Sequence, residues 1–421
     1  MSQFYDALET RAPAEREQAL MAALPQALAR AVAHAPAIAR QLAGHDVASV
    51  TSREALARLP VLRKHELLAL QQAARDQRAD GEDGVQAMGG FSAVGWGAAA
   101  RVFASPGPIY EPESRRPDYW RFARALFAAG FRPNELVYNC FSYHFSPAGS
   151  MMETAAHAIG CTVFPGGTGQ TEQQVRAMQD LSPKGYVGTP SFLKIVMERA
   201  DALGVPVSFK HALVSGEAFP PSLRDWLLER GVAGYQAYGS ADLGMIAFET
   251  EAREGLVVGE DIIVEIVRPG TDDPVAPGEV GEIVVTTLNA DYPLVRFGTG
   301  DLSAELPGQS PCGRTNMRIK GWMGRADQTA KVRGLFVHPS QVAEIVRRHP
   351  EIQRARLVVS GEMGADDMTL HIEVTQDDGR LTERVAETAR DITKLRAQIR
   401  CVPSGSLPND GKVIEDLRRY E

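Results

Sequence analysis

The chain has 421 residues, of which 44% are hydrophobic and 23% are charged, and its formal net charge is −8. This length exceeds the size at which one hydrophobic core stops growing, so we expect at least two domains. The mildly acidic balance argues against general nucleic-acid binding, and the composition is that of an ordinary soluble globular protein.

The cysteines and the opening residues indicate the compartment. The 4 cysteines lie far apart without paired spacing, which favours reduced thiols over a zinc site or a disulfide framework. The opening residues are charged throughout, unlike a signal peptide, and no run of about 18 apolar residues occurs. We therefore expect a cytoplasmic protein that has no membrane or nucleic-acid partner.

Apolar side chains recur with a helical period up to about Gln77, and a loop and a Gly/Ala-rich stretch over 88–107 follow. Helices and strands then alternate. The predicted elements are helices over 117–131, 149–161, 171–181 and 191–204, and strands over 135–141, 162–167, 185–190 and 211–217. This alternation predicts an α/β fold with a parallel sheet that binds ligands at the carboxyl ends of its strands.

The pattern changes near Glu249, where β runs joined by Gly, Pro and Asp turns over 255–288 predict antiparallel strands. A small α+β unit is predicted from about Arg325. Its predicted elements are a β run over 329–339, a helix over 339–350, strands over 354–360 and 368–374, a helix over 380–400 and a turn over 408–412. We thus expect a large domain over 1–324, with mixed sheets, packed helices and a β-rich part, and a small domain over 325–421.

Four segments carry the functional signal because they occur together and in order. They are YQAYGSADLGMIAFE at 235–249, PLVRFGTGDLS at 293–303, GRADQTAKVRGLFVHPSQVAEI at 324–345 and LPNDGK at 407–412. Together they resemble the adenylate-forming superfamily of acyl-CoA ligases. The segments FPGGTGQTEQQ at 164–174, TPS at 189–191, VSGEAF at 214–219 and PCGRTNMRIKGWMGRADQ at 311–328 resemble its phenylacetate–CoA ligase branch.

The resemblance implies a reaction in two halves. A carboxylate attacks the α-phosphate of ATP to give an acyl-adenylate and pyrophosphate, and a thiol, usually coenzyme A, then takes the acyl group. Domain 1–324 would bind AMP and the acyl group, and 325–421 would be a mobile lid that swings about a hinge near 325–328, at Asp327. Because charge builds on the phosphate oxygens, cations and Mg²⁺ should dominate catalysis.

The resemblance also assigns residues to the nucleotide. Tyr238 would pack on the adenine, and Asp301 would accept both ribose hydroxyls. The remaining candidates for nucleotide contact are Gly216, Glu217, Ala218, Gly239 and Ser240.

Three residues would be catalytic. Arg325 would reach the ribose or phosphate, and Lys412 would be the adenylation lysine. Asp242 falls where the family has a glutamate that helps to hold Mg²⁺, and it is shorter by one methylene.

The Gly-rich stretch departs from the family pattern. A loop rich in Ser, Thr and Gly that ends near a lysine normally cradles the β- and γ-phosphates. Here the candidates are Ser92, Gly95 and Gly97, and Arg101 is the only cation of 88–107. Either backbone donors still hold the phosphates, or the protein adenylates weakly or only binds nucleotide.

The acyl pocket is expected beside the segment 139–149, whose aromatic side chains suit a small, flat aromatic acid. The candidate residues are Phe141, Tyr143, His144, Phe145, Ala237 and Gly239. The acceptor is coenzyme A or, as in some relatives, an amine or a carrier-protein thiol. A homodimer is also consistent with the resemblance.

Overall fold

The computed structural model describes residues 3–77, 84–267, 272–326, 330–337, 339–362, 365–375, 380–408 and 413–418. The chain divides into two compact units, Met1–Gly324 and Arg325–Glu421. The roles expected of the two units stay predictions, and the expected hinge residue Asp327 lies outside the described residues.

The helices begin near the N-terminus and recur through both units. In chain order they are α1 (Pro13–His34), α2 (Pro36–Gln41), α3 (Arg53–Leu56), α4 (Lys64–Asp76), α5 (Gly84–Ala87), α6 (Ala123–Ala128), α7 (Ala148–Ile159), α8 (Thr171–Leu181), α9 (Pro190–Ala202), α10 (Pro221–Glu229), α11 (Pro339–Arg348) and α12 (Leu381–Thr393). Short 3-10 turns lie at Ala7–Thr10 and Val47–Ser49. Within the described ranges, no helix is both long and apolar enough to cross a bilayer.

The strands form several separate sheets. In chain order they are β1 (Leu62–Arg63), β2 (Arg101–Ser105), β3 (Ile109–Glu113), β4 (Leu136–Asn139), β5 (Thr162–Phe164), β6 (Gly185–Gly188), β7 (His211–Val214), β8 (Ala233–Ser240), β9 (Gly244–Phe248), β10 (Leu256–Val258), β11 (Ile262–Val267), β12 (Gly281–Thr287), β13 (Phe297–Ser303), β14 (Glu305–Leu306), β15 (Arg318–Ile319), β16 (Ala330–Val332), β17 (Leu335–Val337), β18 (Ile352–Glu362), β19 (Ala365–Val374), β20 (Gln398–Pro403) and β21 (Ile414–Asp416).

The first unit opens with the predicted helices. Helix α1 begins with a proline, which is favourable in a first turn because the missing N–H would have no partner there. It buries Leu20, Leu24, Leu28 and Ala31, which repeat at three- and four-residue spacing.

The largest sheet has the order β14-β15-β10-β9-β8-β7-β6-β4-β5. Strands β5, β4, β6, β7 and β8 pair in parallel, and β9 then pairs antiparallel with β8. Helices α6 and α7 pack on the parallel part, where Leu126 and Ala155 share a buried cluster with Val137, Val187 and Leu213. The predicted α/β class is therefore confirmed, and the carboxyl ends of β4, β6, β7 and β8 lie along one edge.

A second sheet has the order β1-β13-β12-β11, in which β11, β12 and β13 are antiparallel and β1 is parallel to β13. Arg296, fully buried just before β13, pairs with Glu265 at 3.0 Å and donates to the carbonyl oxygen of Ala57. A buried arginine needs such complete pairing because an unpaired buried charge is costly. These contacts anchor the start of β13.

Part of the Gly/Ala-rich stretch folds differently from the loop expected there. Strands β2 and β3 form an antiparallel hairpin, with Arg101 opposite Glu113 and Ser105 opposite Ile109. The alternation of apolar and polar residues in these two strands is too short to separate from a loop in the sequence. The hairpin is a feature that the sequence analysis missed.

The second unit contains a four-stranded sheet, β20-β19-β18-β21, and the β16–β17 hairpin. The prediction of a helix over 380–400 was wrong in its last part, because α12 ends at Thr393. Residues Gln398–Pro403 instead form β20, which pairs in parallel with β19. Lys394 ends the helix in a left-handed conformation, with φ of 62°. No Gly or Pro marks this end in the sequence, so the helical pattern of the sequence continues past it.

Candidate functional site

Tyr238 and Asp301 come together from different sheets. The Tyr238 hydroxyl donates to Asp301 Oδ2 at 2.8 Å and approaches Thr299 Oγ1 at 3.3 Å. The Asp301 backbone N–H in turn donates to Thr299 Oγ1 at 3.1 Å. Both side chains are half-buried, so a ligand can reach them. Two of the sequence-predicted nucleotide residues are therefore neighbours in the fold.

Trp322 is a neighbour of this pair that the sequence analysis missed. Its indole N–H donates to Asp301 Oδ1 at 3.0 Å, while Tyr238 donates to Asp301 Oδ2. The indole is 42% exposed, which is unusual for a large aromatic side chain. The sequence marks Trp322 only by its place in GWMGR, a segment that ends at the predicted catalytic residue Arg325.

The turn that carries Asp301 requires glycine. Gly300 has φ of 74°, a left-handed conformation that costs glycine little, and its N–H donates to Glu282 Oε1 at 3.1 Å. A Cβ on Gly298 would lie 2.7 Å from the same carboxylate oxygen. The Gly-Thr-Gly sequence therefore places Asp301 at a fixed position beside Tyr238.

The segment 216–218 follows β7 and lies at the same sheet edge as Tyr238. The Ser215 hydroxyl donates to the Ala237 carbonyl oxygen at 2.7 Å and ties this segment to β8. The Thr189 side chain caps α9. Two residues later, the Ser191 N–H donates to Glu217 Oε2 at 3.4 Å. Local capping thus explains the TPS sequence and places Gly216, Glu217 and Ala218 along the edge.

Residues 237–240 also lie on β8. A Cβ at Gly239 would be 2.5 Å from the Gly244 carbonyl oxygen and 3.2 Å from the Phe122 ring, so only glycine fits there. Ala237 is buried, and the Ser240 hydroxyl accepts the Leu243 N–H at 3.3 Å. The backbone of β8 is therefore held closely beside the Tyr238 ring.

Asp242 is fully buried and forms an ion pair with a lysine that the sequence analysis missed. Lys64 Nζ lies 2.7 Å from Asp242 Oδ2, and the two residues are 178 positions apart. Lys64 is the first residue of α4, where nothing in the sequence separates it from an ordinary surface lysine. Asp242 Oδ1 is buried and finds no hydrogen-bond partner among the described residues.

A second buried carboxyl group, Glu111 on β3, belongs to the same cluster. Its Oε1 accepts from the Ser105 hydroxyl at 2.5 Å, and its Oε2 is buried without a hydrogen-bond partner in the described part of the chain. Burial raises the pKa of Glu111 well above its usual range; the charge of Asp242 adds to this shift and that of Lys64 opposes it. The pKa of Tyr292 is raised by burial and by the same two carboxyl groups.

The donor set fits a hard divalent cation. Such ions take oxygen ligands, and the buried Asp242 Oδ1 is a carboxylate oxygen that no other described group uses. Within the described ranges, no group of three or more His, Cys, Asp or Glu side chains is arranged to hold a metal. Mg²⁺ is usually held by one or two carboxylates together with water and substrate phosphates, and Asp242 Oδ1 offers one such oxygen.

The Gly-rich loop commits its polar groups to its own structure. The buried Ser92 hydroxyl donates to the Val94 carbonyl oxygen at 2.7 Å and accepts the Val94 N–H at 3.1 Å. The Gly95 carbonyl oxygen accepts the Ala99 N–H at 3.3 Å, and Gly97 has φ of 85°. The loop therefore presents backbone to a ligand rather than the Ser92 hydroxyl.

Arg101, the only cation of this stretch, is already paired. It lies 2.5 Å from Glu113 Oε1 and 3.9 Å from Glu153 Oε1. Glu113 is itself buried, and its Oε2 accepts from Trp120 Nε1 at 2.6 Å and from the Ser150 hydroxyl at 2.5 Å. The guanidinium thus stabilises the base of the hairpin.

The four aromatic candidates for the acyl pocket divide into two pairs. Phe141 is buried in the core, and the Tyr143 hydroxyl accepts from Asn139 at 2.8 Å and donates to Glu153 at 2.8 Å. Burial, followed by the contact with Glu153, raises the pKa of Tyr143. His144 is exposed, and Phe145 is 81% exposed with φ of 61°. The two pairs therefore differ in exposure, and their role in an acyl pocket stays a prediction.

The small unit was expected to contribute two catalytic residues, Arg325 and Lys412, and the structure describes Arg325. Its guanidinium lies 5.8 Å from the centre of the Phe336 ring within that unit, a distance at which a cation–π contact forms. Asp327 and Lys412 lie outside the described residues.

Comparison with known proteins identifies the family. The family of AMP-binding enzymes matches residues 119–289. A phenylacetate–coenzyme A ligase from Thermus thermophilus is 31% identical over 371 residues, which cover 78% of this chain and 83% of that protein. The corresponding Escherichia coli ligase is 28% identical over 76% of this chain and 79% of that protein.

A solved structure shares the fold. The crystal structure of 2-hydroxyisobutyryl-CoA ligase in complex with 2-HIB-AMP and CoA has a TM-score of 0.83 and 24% sequence identity, and the match covers 100% of this chain and 93% of that one. Because the Thermus thermophilus relative is 31% identical over most of both chains, this chain belongs to the AMP-binding, adenylate-forming enzymes, in the branch of the phenylacetate–CoA ligases. The resemblance stated from the sequence motifs is confirmed.

Proposed function

We propose that this protein activates a small aromatic carboxylic acid with ATP, as an acyl-adenylate, and transfers the acyl group to coenzyme A. The observation that carries the proposal is the 2.8 Å bond between Tyr238 and Asp301, at the sheet edge that also holds Gly216 and Glu217. The names of the relatives, phenylacetate–coenzyme A ligases, support an acid as substrate and coenzyme A as acceptor.

The nucleoside part of ATP would bind at Asp301 and Tyr238. Asp301, whose carboxylate accepts from Tyr238 and Trp322, would also accept the ribose hydroxyls. The Tyr238 hydroxyl orients this carboxylate, and the Tyr238 ring would pack against adenine. The segment 216–218 would close the other side of the base.

The phosphates would lie beside Asp242 and Lys64. Asp242, through its unpartnered Oδ1, would hold Mg²⁺, which when bound neutralises phosphate charge. Lys64 brings an ammonium group to a site whose Gly-rich loop has no lysine. Arg325 and Lys412 would add positive charge from the small unit, and a swing about Asp327 would withdraw Lys412 before acyl transfer.

The acid would lie beside the end of β4. Phe141, which shares a buried cluster with Ala237, and the nearby Tyr143 would line a site for a flat aromatic ring, with the backbone of Gly239 beside it. The exposed side chains of His144 and Phe145 add no support in this arrangement.

A second candidate function is nucleotide binding with weak adenylation. The pairing of Arg101 with Glu113 favours it, because the loop then offers no charged side chain to the phosphates. Two further alternatives concern the acceptor, which would be an amine or a carrier-protein thiol instead of coenzyme A. A homodimer is also part of the proposal.

The test is acid-dependent ATP–pyrophosphate exchange across a panel of aromatic acids, followed by thioester formation with free coenzyme A. We expect exchange with at least one acid and a thioester product with the same acid. Asp301→Asn should weaken exchange, whereas Asp180→Asn, an exposed change on α8, should not. Absence of exchange with every acid, while AMP still binds, would favour the second candidate. Exchange without thioester would favour another acceptor.

A further inference from the structure

We propose that Glu111 is a second carboxylate ligand of the cation held at Asp242. The inference rests on the proposed function, because it concerns the same phosphate and metal site. It goes beyond that function because Glu111 lies on the β2–β3 hairpin, outside every sequence motif that assigned a role to a residue.

The two carboxyl groups share an unusual combination of properties. Glu111 is 0% and Asp242 4% exposed, and each has one oxygen engaged and one without a hydrogen-bond partner in the described ranges. The engaged oxygens contact Ser105 and Lys64. A buried polar atom that lacks a partner is expensive, and such atoms are rare in folded proteins. Helix α4 links the two groups, because its Lys64 pairs with Asp242 and its Gln71 bonds to the backbone N–H and carbonyl oxygen of Tyr110, next to Glu111. Two such oxygens beside one helix need a common explanation.

The charges of the cluster are also unbalanced. With both carboxyl groups ionised, the cluster would be net negative despite the ammonium group of Lys64, which is unfavourable in a buried site without a cation. A divalent cation between the unpartnered oxygens would reverse this sign and make the cluster favourable for a triphosphate. Carboxylate oxygens are the ligands that Mg²⁺ and Mn²⁺ prefer.

Glu113, two residues further along the same strand, shows what a purely structural carboxylate looks like here. It is equally buried, but Arg101, Trp120 and Ser150 engage both of its oxygens. Successive alternate residues of a strand face the same side, so Glu111 and Glu113 share a face. The difference between them is therefore one of pairing, and only Glu111 has an oxygen left for a ligand.

The hairpin also continues directly from the Gly-rich loop. The Ala100 N–H donates to the Glu113 carbonyl oxygen at 2.7 Å, so the end of the loop is fixed to β3. The Ser92 hydroxyl is used inside the loop and cannot serve as a ligand without breaking that turn. Glu111 would thus supply, from the next element, an oxygen ligand that the loop lacks.

The experiment measures the binding of Mn²⁺ to the whole protein, by electron paramagnetic resonance of the free ion, alone and with α,β-methylene-ATP. The proteins are the wild type, Glu111→Gln, Asp242→Asn and the matched control Glu113→Gln. We expect Glu111→Gln and Asp242→Asn each to weaken Mn²⁺ binding about tenfold or more, since even outer partners of metal ligands often contribute that much. Glu113→Gln should bind Mn²⁺ as the wild type does.

Glutamine has the shape of glutamate and still offers an oxygen to Ser105, so Glu111→Gln should fold, which thermal melting checks. If it does not fold, Glu111→Asp keeps the charge but withdraws the oxygens by one methylene, and it should weaken Mn²⁺ binding as well. Unchanged Mn²⁺ affinity in the folded Glu111 variant would overturn the proposal.

Calorimetry with AMP in the absence of metal separates this proposal from the proposed function. AMP should bind wild type and Glu111→Gln equally, because the nucleoside contacts lie at Asp301 and Tyr238. Failure of AMP to bind the wild type would contradict the proposed function. Normal AMP binding together with an unchanged Mn²⁺ affinity in Glu111→Gln would contradict only the role of Glu111.

Discussion

Replacing Asp301 with alanine should weaken AMP binding by at least about tenfold. Hydrogen bonds from ribose hydroxyls to a carboxylate are worth roughly 1.5–3 kcal/mol each, and two are expected. The net loss is smaller than their sum because Asp301 already accepts from Tyr238 and Trp322 in the ligand-free protein. A conservative loss of about 1.4 kcal/mol corresponds to the tenfold change.

The assay is isothermal titration calorimetry with AMP at fixed salt and pH. Tyr238→Phe serves as a second variant, because it keeps the ring but removes the donor to Asp301, and it should weaken binding less than Asp301→Ala does. Trp322 offers an optical readout, since its indole donates to Asp301 Oδ1 and its fluorescence should change when ribose approaches. An unchanged dissociation constant in a folded Asp301→Ala protein would refute the assignment of Asp301 to the ribose.

Three further predictions concern the positive charges and the hinge. Lys64→Met should lower the free energy of unfolding by about 3 kcal/mol in urea denaturation, because it leaves the buried Asp242 unpaired. The same variant should slow pyrophosphate exchange, and an unchanged exchange rate would remove Lys64 from the site. Lys412→Ala should reduce the rate of adenylation by about 10²–10³-fold or more, while acyl-adenylate supplied to the variant is still converted to thioester. Normal pyrophosphate exchange in this variant would contradict the role of Lys412. Asp327→Pro, which fixes φ and removes a backbone donor, should leave exchange measurable and slow acyl transfer; equal loss of both half-reactions would indicate misfolding instead.

The parts of the site that could be predicted from the sequence are those in continuous motifs. Tyr238 and Asp301 each stand in a segment with glycines, and steric limits at Gly239 and Gly300 show why those glycines are needed. The alternation of strands and helices gave the parallel sheet in the same way, because each strand and helix is a local pattern. Signals of this kind need no knowledge of the tertiary fold.

Lys64 and Glu111 could not be predicted, for a physical reason. Each becomes significant only through burial and through a partner that is distant in the sequence, as in the ion pair between Lys64 and Asp242. On its own, Lys64 is one more charged residue of an amphipathic helix, and Glu111 lies in a strand too short to recognise. The strand at Gln398–Pro403 escaped prediction similarly, because the left-handed residue that ends α12 is a lysine.

The arrangement of charges suggests how this chain can retain adenylation chemistry with an altered phosphate loop. Catalysis of phosphoryl and adenylyl transfer depends on charge placed where the transition state becomes negative, and the element that supplies the charge is immaterial. Here Arg101 is used to hold the hairpin, while Lys64 brings an ammonium from helix α4 to Asp242. The loop would then need only to offer backbone N–H groups, a task that glycines perform well. On this argument the loss of hydroxyls and of lysine from the loop follows from a redistribution of charge within the site, and it does not by itself imply an inactive protein.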